Sequence, residues 1–253
     1  GNALSMPFYF LLGGCLFAVT PIVAQLFGAK KYEEIGQKVR EILWVSIALG
    51  LIGFILYRNL SFFIPFFDIE ENIALISDGY LKAMSYGFIA NMIFTCLRCY
   101  SEGMGLTLPV FWVAFIGLLL NIPLDIIFVY GYFGIPPMGG VGCGIATSIN
   151  IVIGVIVLVL VILKKKEYTP TKIFSKFSLP NSETTKEALK LGLPIGFGVF
   201  VELSMFSGAA LILGSLGSSV ISGHTVAINI VSVLFILPLS FGLAAATLSL
   251  IHI

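Results

Sequence analysis

From Leu191 to Ile253 the only formally charged side chain is Glu202, with ten or more apolar or small residues on each side of it before the next charge or turn. A carboxylate at mid-membrane costs about 3 kcal/mol on insertion scales. Such a residue persists where it faces a cavity, a partner or a bound cation. The plainer alternative is a protonated glutamate hydrogen-bonded between helices. Asp125 is the second acid in an apolar stretch, close behind Asn121 and Pro123. Pro123 leaves the carbonyl of Leu119 without its helical donor, so these groups could form a polar pocket; an interfacial carboxylate reaching water is the alternative. His224 suits an interfacial hydrogen bond better than a proton relay. Asn91, Asn150 and Asn229 are mid-span amides, fitted either to interhelical hydrogen bonds or to lining a substrate cavity. Pro21, Pro194 and Pro238 are hinges or ordinary kinks of membrane helices.

The elements that must position these residues follow from bulk chemistry. Of 253 residues, 58% are hydrophobic and only 11% are charged, and the mean hydropathy is +1.05. Too few polar residues exist to cover a globule in water, so lipid must solvate most of the surface. The fold class expected is all-α: a polytopic helical membrane protein with about seven transmembrane helices. Charge-free runs place the spans near Ser5–Phe27, Ile42–Tyr57, Gly79–Leu97, Pro109–Tyr130 and Val141–Leu163. Two more lie after Leu191, divided by a turn at Gly214–Ser219. Three segments result: a five-span unit over 1–163, a soluble linker over 164–190 and a two-span unit over 191–253.

Lysine and arginine placement sets the orientation. Alternate connections hold Lys30, Lys31, Lys38 and Arg40, then Arg98, then seven lysines between Lys164 and Lys190; the opposite connections hold only Arg58, and Lys82 lies inside the third span. The lysine-rich connections are therefore expected in the cytoplasm, with the first span running inward. A weak internal echo pairs Asn2 with Asn229, Phe8 with Phe235 and Thr20 with Thr247, as a parallel repeat of six-helix units requires. Cys96 and Cys99 form a C-x-x-C without a second cysteine or histidine pair nearby, which reads as small apolar filling rather than redox or zinc chemistry. No soluble-enzyme motif occurs, and no basic stretch carries the interleaved aromatics of a nucleic-acid surface.

Several phrases resemble one family. The runs Cys99–Gly105 (CYSEGMG) and Phe115–Cys143 (FIGLLLNIPLDIIFVYGYFGIPPMGGVGC) look like the multidrug and toxic compound extrusion family, in its bacterial NorM-type branch. Thr20–Glu41 (TPIVAQLFGAKKYEEIGQKVRE) is similar to that family's second helix and the loop after it. Leu191–Glu202 (LGLPIGFGVFVE) and Gly223–Asn229 (GHTVAIN) resemble its seventh and eighth helices. The resemblance implies twelve helices in two six-helix lobes that open alternately to either side of a bacterial inner membrane. It implies a monomeric secondary transporter, not an enzyme, with no cofactor, exporting cationic amphipathic drugs in exchange for sodium or protons.

On this resemblance the seven spans are the family's second to eighth helices, and Glu202 falls on its cation-site glutamate, where sodium would bind. Asn229, Asn121 and Asp125 are the further candidates for cation or substrate contact. Asp125 stands where the family tends to carry an amide, so no role is carried over to it. The family's first helix and helices nine to twelve have no counterpart, and the ending Ser249–Ile253 (SLIHI) departs from the pattern; a shortened and inactive chain is the expectation. A lipid-linked saccharide flippase of the same superfamily, and a seven-helix receptor, are the alternatives. The topology is directly testable. In a cysteine-free background, Ser175→Cys should react with a membrane-impermeant maleimide from the cytoplasmic face only, and Tyr132→Cys from the opposite face only.

Overall fold

Backbone amides in hydrocarbon have no water to bond, so each crossing segment must satisfy them internally. The computed structural model describes residues 2–60, 62, 71–214 and 218–252, and among these the regular structure is helical throughout. Eight α-helices follow one another: α1 (Asn2–Gly14), α2 (Val19–Gly28), α3 (Tyr32–Asn59), α4 (Glu71–Gly103), α5 (Thr107–Tyr130), α6 (Gly140–Lys164), α7 (Ser182–Gly214) and α8 (Ser218–His252). A 3-10 turn at Cys15–Ala18 joins α1 to α2, and another at Lys166–Thr171 follows α6. Six described helical stretches are long and apolar enough to cross a membrane, Ser5–Gly28 among them as one continuous crossing. The turn expected at Gly214–Ser219 falls on residues 215–217, outside the described residues.

The third expected span lies in α4, which is not among those six. At 33 residues α4 is long enough to cross, at about 1.5 Å per residue. Its hydropathy is lowered chiefly by Lys82, Asn91 and Arg98. α4 packs against α3, α6 and α2, and Leu81, Phe88, Met92, Cys96, Leu97, Cys99 and Tyr100 along it are buried. Its buried hydroxyls are satisfied within the protein. Ser85, Thr95 and Ser101 are buried there and bond carbonyls of their own helix at 2.7, 2.9 and 3.1 Å. From the facing helix, Ser148 donates to the Ala83 carbonyl at 2.9 Å. Cys96 and Cys99 are free thiols inside this core.

The 3-10 turn within the first crossing has a local cause. Pro21 has no N–H to give the carbonyl of Phe17, so the turn before it tightens. The Val19 amide accordingly bonds Leu16 and Phe17 carbonyls. At the other end of α5, Gly131 takes a left-handed conformation (φ 79°) and its N–H caps the Ile127 carbonyl at 3.0 Å, the usual glycine exit from a helix.

Residues 166–178 lie across α3 as a strap at the lysine-rich end of the bundle. Arg40 donates from Nε to Ser178 Oγ at 2.9 Å and from Nη1 to the Lys172 carbonyl at 2.9 Å. Trp44 donates to the Ser178 carbonyl at 3.1 Å, and Lys172 pairs with Glu33 at 2.7 Å. Beneath, Thr171 is buried and shares a 2.7 Å hydrogen bond with Tyr100. The strap reaches α3 only because position 36 is glycine: a Cβ there would lie 1.7 Å from the Thr171 carbonyl oxygen. Gly36→Val should lift the strap and cost about 1–3 kcal/mol. The expected readouts are a lower thermal midpoint and proteolytic cleavage between residues 166 and 178 under conditions where the parent is resistant.

Candidate cation site and the helix seam beside it

Glu202 sits on α7, eight residues after Pro194, which interrupts the helical hydrogen bonding from within. One face of α7 carries Gly192, Gly196 and Phe200, spaced by four so that they stack on the same side. That face meets the first crossing backbone to backbone. A Cβ on Gly192 would lie 2.0 Å from the Cys15 carbonyl oxygen, one on Gly196 would lie 2.5 Å from that of Leu11, and one on Gly14 would lie 2.5 Å from the Gly196 Cα. Small residues at such spacing let membrane helices approach closely, where dispersion and weak backbone contacts replace a hydrophobic driving force. Further along, Phe8 and Phe200 bring their rings to 5.8 Å.

Glu202 is directed away from this seam. It shares its side of α7 with Gly198, where an added Cβ would meet nothing within 4 Å, and it is exposed. It makes no hydrogen bond or ion pair with the described residues. Asn229 is exposed on α8, and His224 is half-buried one turn before it. α8 packs against α2, where Gly28 meets the Ile251 carbonyl oxygen, and more lightly against α7. Both of those contact residues end their helices, so α2 and α8 run in the same direction, as the internal echo requires.

Asp125 and Asn121 belong to another part of the fold. Their helix, α5, packs on α6 and α4, whereas α7 packs on α1, the first 3-10 turn, α3 and α8. Asp125 neighbours Tyr80 of α4 and Cys143 of α6, and its Oδ1 is buried without a hydrogen-bond partner. The Asn150 Oδ1 is also buried and unpartnered, with its amide 3.7 Å from where a Cβ on Gly117 would stand. The four candidate residues are thus two pairs on separate helix groups rather than one constellation. Among the described residues no three His, Cys, Asp or Glu side chains gather as metal ligands, so Glu202 contributes a lone carboxylate.

Two arrangements beside these positions were not anticipated from the sequence. The first is the seam, whose trace is the Gly192-x-x-x-Gly196 spacing. The second is a polar and aromatic group inside the first unit: Tyr9 donates to Asn91 at 3.5 Å, and the Arg98 guanidinium lies 5.9 Å from the Phe17 ring centroid and 3.4 Å from Glu102. Tyr9 and Phe17 lie far from Asn91 and Arg98 in sequence, and that separation hid the grouping.

The comparisons with known proteins agree with this architecture. The MatE family model matches residues 1–127. The chain belongs to the MatE family. The multidrug resistance protein NorM of Vibrio cholerae serotype O1 is 38% identical over 233 residues, covering 92% of this chain and 51% of that protein. The multidrug resistance protein PmpM of Pseudomonas aeruginosa is 36% identical over 245 residues, covering 96% of this chain and 51% of that protein. Among solved structures, the MATE transporter NorM-NG in complex with a small-molecule ligand and a monobody superposes with a TM-score of 0.79 at 29% identity, over 98% of this chain and 54% of that one. The eukaryotic MATE transporter AtDTX14 shares the fold, with a TM-score of 0.85 at 20% identity over 99% of this chain and 56% of that one.

This MATE chain therefore spans about half the length of the curated relatives it matches. It is a multi-pass membrane protein of the NorM type, from a family of secondary transporters and not of enzymes. In such a chain the α1–α7 seam joins the unit before the strap to the unit after it. Gly196→Leu should force these helices apart and cost about 1–3 kcal/mol, read as a lower thermal midpoint in detergent. Gly198→Leu, facing open space two residues on, should leave that midpoint unchanged.

Proposed function

We propose that the transporter to which this sequence contributes is a multidrug efflux antiporter of a bacterial inner membrane, exporting cationic amphipathic compounds in exchange for sodium or protons. The observation that carries this reading is Glu202: a carboxylate in an otherwise uncharged stretch of helix, turned from the seam toward open space and lacking a partner among the described residues. A carboxylate so placed is satisfied by a cation. The small-molecule ligand bound by the NorM-NG transporter and the multidrug resistance named for the bacterial relatives support a drug as one such guest.

The mechanism follows from competition. A coupling ion and a cationic drug can each neutralise Glu202, and they cannot do so together, so occupancy alternates. Exchange results if the two guests favour different conformations, because only differential affinity shifts a conformational equilibrium. The membrane potential supplies about 2.3 kcal/mol per charge per 100 mV, more than a tenfold change in a binding equilibrium. The seam at Gly14, Gly192 and Gly196 is the contact about which the two units would rock, since backbones in direct contact keep register while side chains at either end separate. Asn229, one helix away, would supply an uncharged oxygen to the same guest. Asp125 and Asn121 would line the first unit, where the unpartnered Asp125 Oδ1 has capacity for a donor. The units divide as 1–163, a linker through 190, and 191–253, and the transporter works as a monomer.

The test uses a full-length NorM relative carrying Gln in place of the glutamate aligned with Glu202. Drug-for-ion exchange in vesicles should fall at least tenfold under either a sodium or a pH gradient, with membrane insertion unchanged. Exchange at the parental rate would remove Glu202 from the mechanism. In the parent, the gradient that drives uptake into inverted vesicles distinguishes sodium from proton coupling.

A further inference from the structure

The strap does more than connect two helical units. Between it and α3 lies a groove of about 430 Å³, walled by Leu43, Ile47, Ile173 and Phe174 and flanked by Arg40 and Lys176. We infer that this groove holds an anionic phospholipid, its headgroup between Lys176 and Arg40 and an acyl chain along Leu43 and Ile47.

Position in the membrane is the first argument. Trp44, Ile47, Leu51 and Ile55 lie along one side of α3 at helical spacing. Of these Trp44, Leu51 and Ile55 are 40, 49 and 61% exposed, which marks a lipid-facing stripe in a helix that qualifies as a span. Arg40 and Arg58 bracket this stripe eighteen residues apart, about 27 Å along the axis and close to the roughly 30 Å hydrocarbon thickness. The groove sits at the Arg40 end, at headgroup level, and Trp44 there is placed as an interfacial aromatic. The strap extends the stripe outward: Phe174, Phe177 and Leu179 are 42, 79 and 70% exposed, with the Phe177 ring edge-on to Trp44 at 6.2 Å. Exposed aromatics on a chain segment at that depth enter the acyl boundary.

Charge selects the lipid class. Arg40, Lys172, Lys176 and Lys31 stand about the groove and strap against two carboxylates: Glu33 pairs with Lys172 at 2.7 Å and reaches Lys176 only at 4.0 Å, and Glu34 pairs with Lys31 at 3.1 Å. Lys172 first, and Lys176 after it, hold the Glu33 carboxyl below its usual range, so it stays ionised and the local excess of two positive charges persists through neutral and mildly acidic pH. Lys164, Lys165 and Lys166, set against the single Glu167, add a further basic excess where the strap begins. A zwitterionic headgroup gains little from such a site. An anionic one gains about fivefold in occupancy for each basic residue it meets near the surface, an effect that salt screens.

The experiment isolates Trp44 as the reporter. The chain has two tryptophans, so Trp112→Phe leaves Trp44 alone. This full-length variant is reconstituted in phosphatidylcholine nanodiscs containing an equal mole fraction of brominated phosphatidylglycerol or brominated phosphatidylcholine. Brominated phosphatidylglycerol is expected to quench Trp44 at least about twofold more, with the excess declining as salt rises. Lys176→Gln should bring the ratio close to one, and Lys176→Arg should preserve it; Lys176 is exposed, so both variants are expected to keep the parent's circular dichroism. Equal quenching by the two lipids in the parent would mean bilayer contact without a site. A ratio that survives Lys176→Gln, or an absence of quenching with a second copy cross-linked over the groove, would equally overturn the assignment.

Discussion

The constraint on which the rest depends is the absence of water beside the chain. In hydrocarbon a backbone group or a charge has no solvent to return to, so each must be answered within the protein or placed at an interface. The fold is one consequence: among the described residues every long segment is a helix, and hydroxyls within the helices return to backbone carbonyls, as those of Ser85, Thr95, Ser101 and Ser240 do. The charge distribution is another. Nearly all ionic groups sit at helix ends or in the strap, where Lys38 pairs with Glu187 and Lys172 with Glu33. Among the described acids away from those places are Glu202, Asp125 and Glu41, which is buried in α3 and takes a 3.0 Å hydrogen bond from Gln37.

The same absence of water changes what holds helices together. Apolar side chains gain nothing by leaving lipid for one another, so close contact must come from shape. At the α1–α7 seam three glycines bring two backbones into touch, and the 3-10 turn ahead of Pro21 lies within that contact. A joint of this kind has few side chains to repack when the helices tilt, which suits the rocking of the two units proposed above. The strap is a different device, built from hydrogen bonds and ion pairs at the interface, where such bonds can form and exchange with water. One connection is thus pinned by polar groups at the membrane surface, while the units meet by backbone packing inside it.

The exposed surfaces of α7 and α8 bear on the site directly. Almost none of α8 is buried, and the chain spans about half the length of its bacterial relatives. Glu202 and Asn229 lie on these two helices and both are exposed.

Much of this was legible in the residues themselves. The spans at 5–27, 42–57, 109–130 and 141–163 follow from charge-free runs, because hydrocarbon tolerates so few exceptions, and each was found inside a helical crossing of matching place, the first of them broken by a 3-10 turn. Glu202 was visible for the same reason. The family was legible because phrases such as CYSEGMG and LGLPIGFGVFVE are long and specific. Tertiary structure alone decided what those rules do not reach. It put Asp125 against Tyr80 and Cys143 and Glu202 on the opposite helix group, since periodicity names a helix face but not the neighbour it meets. It showed that α4, whose hydropathy Lys82, Asn91 and Arg98 lower, is packed among α2, α3 and α6. It also brought Thr171 against Gly36 and Cys15 against Gly192, over separations of more than a hundred residues, where the information lies in missing side chains and becomes readable only once the backbones are seen to touch.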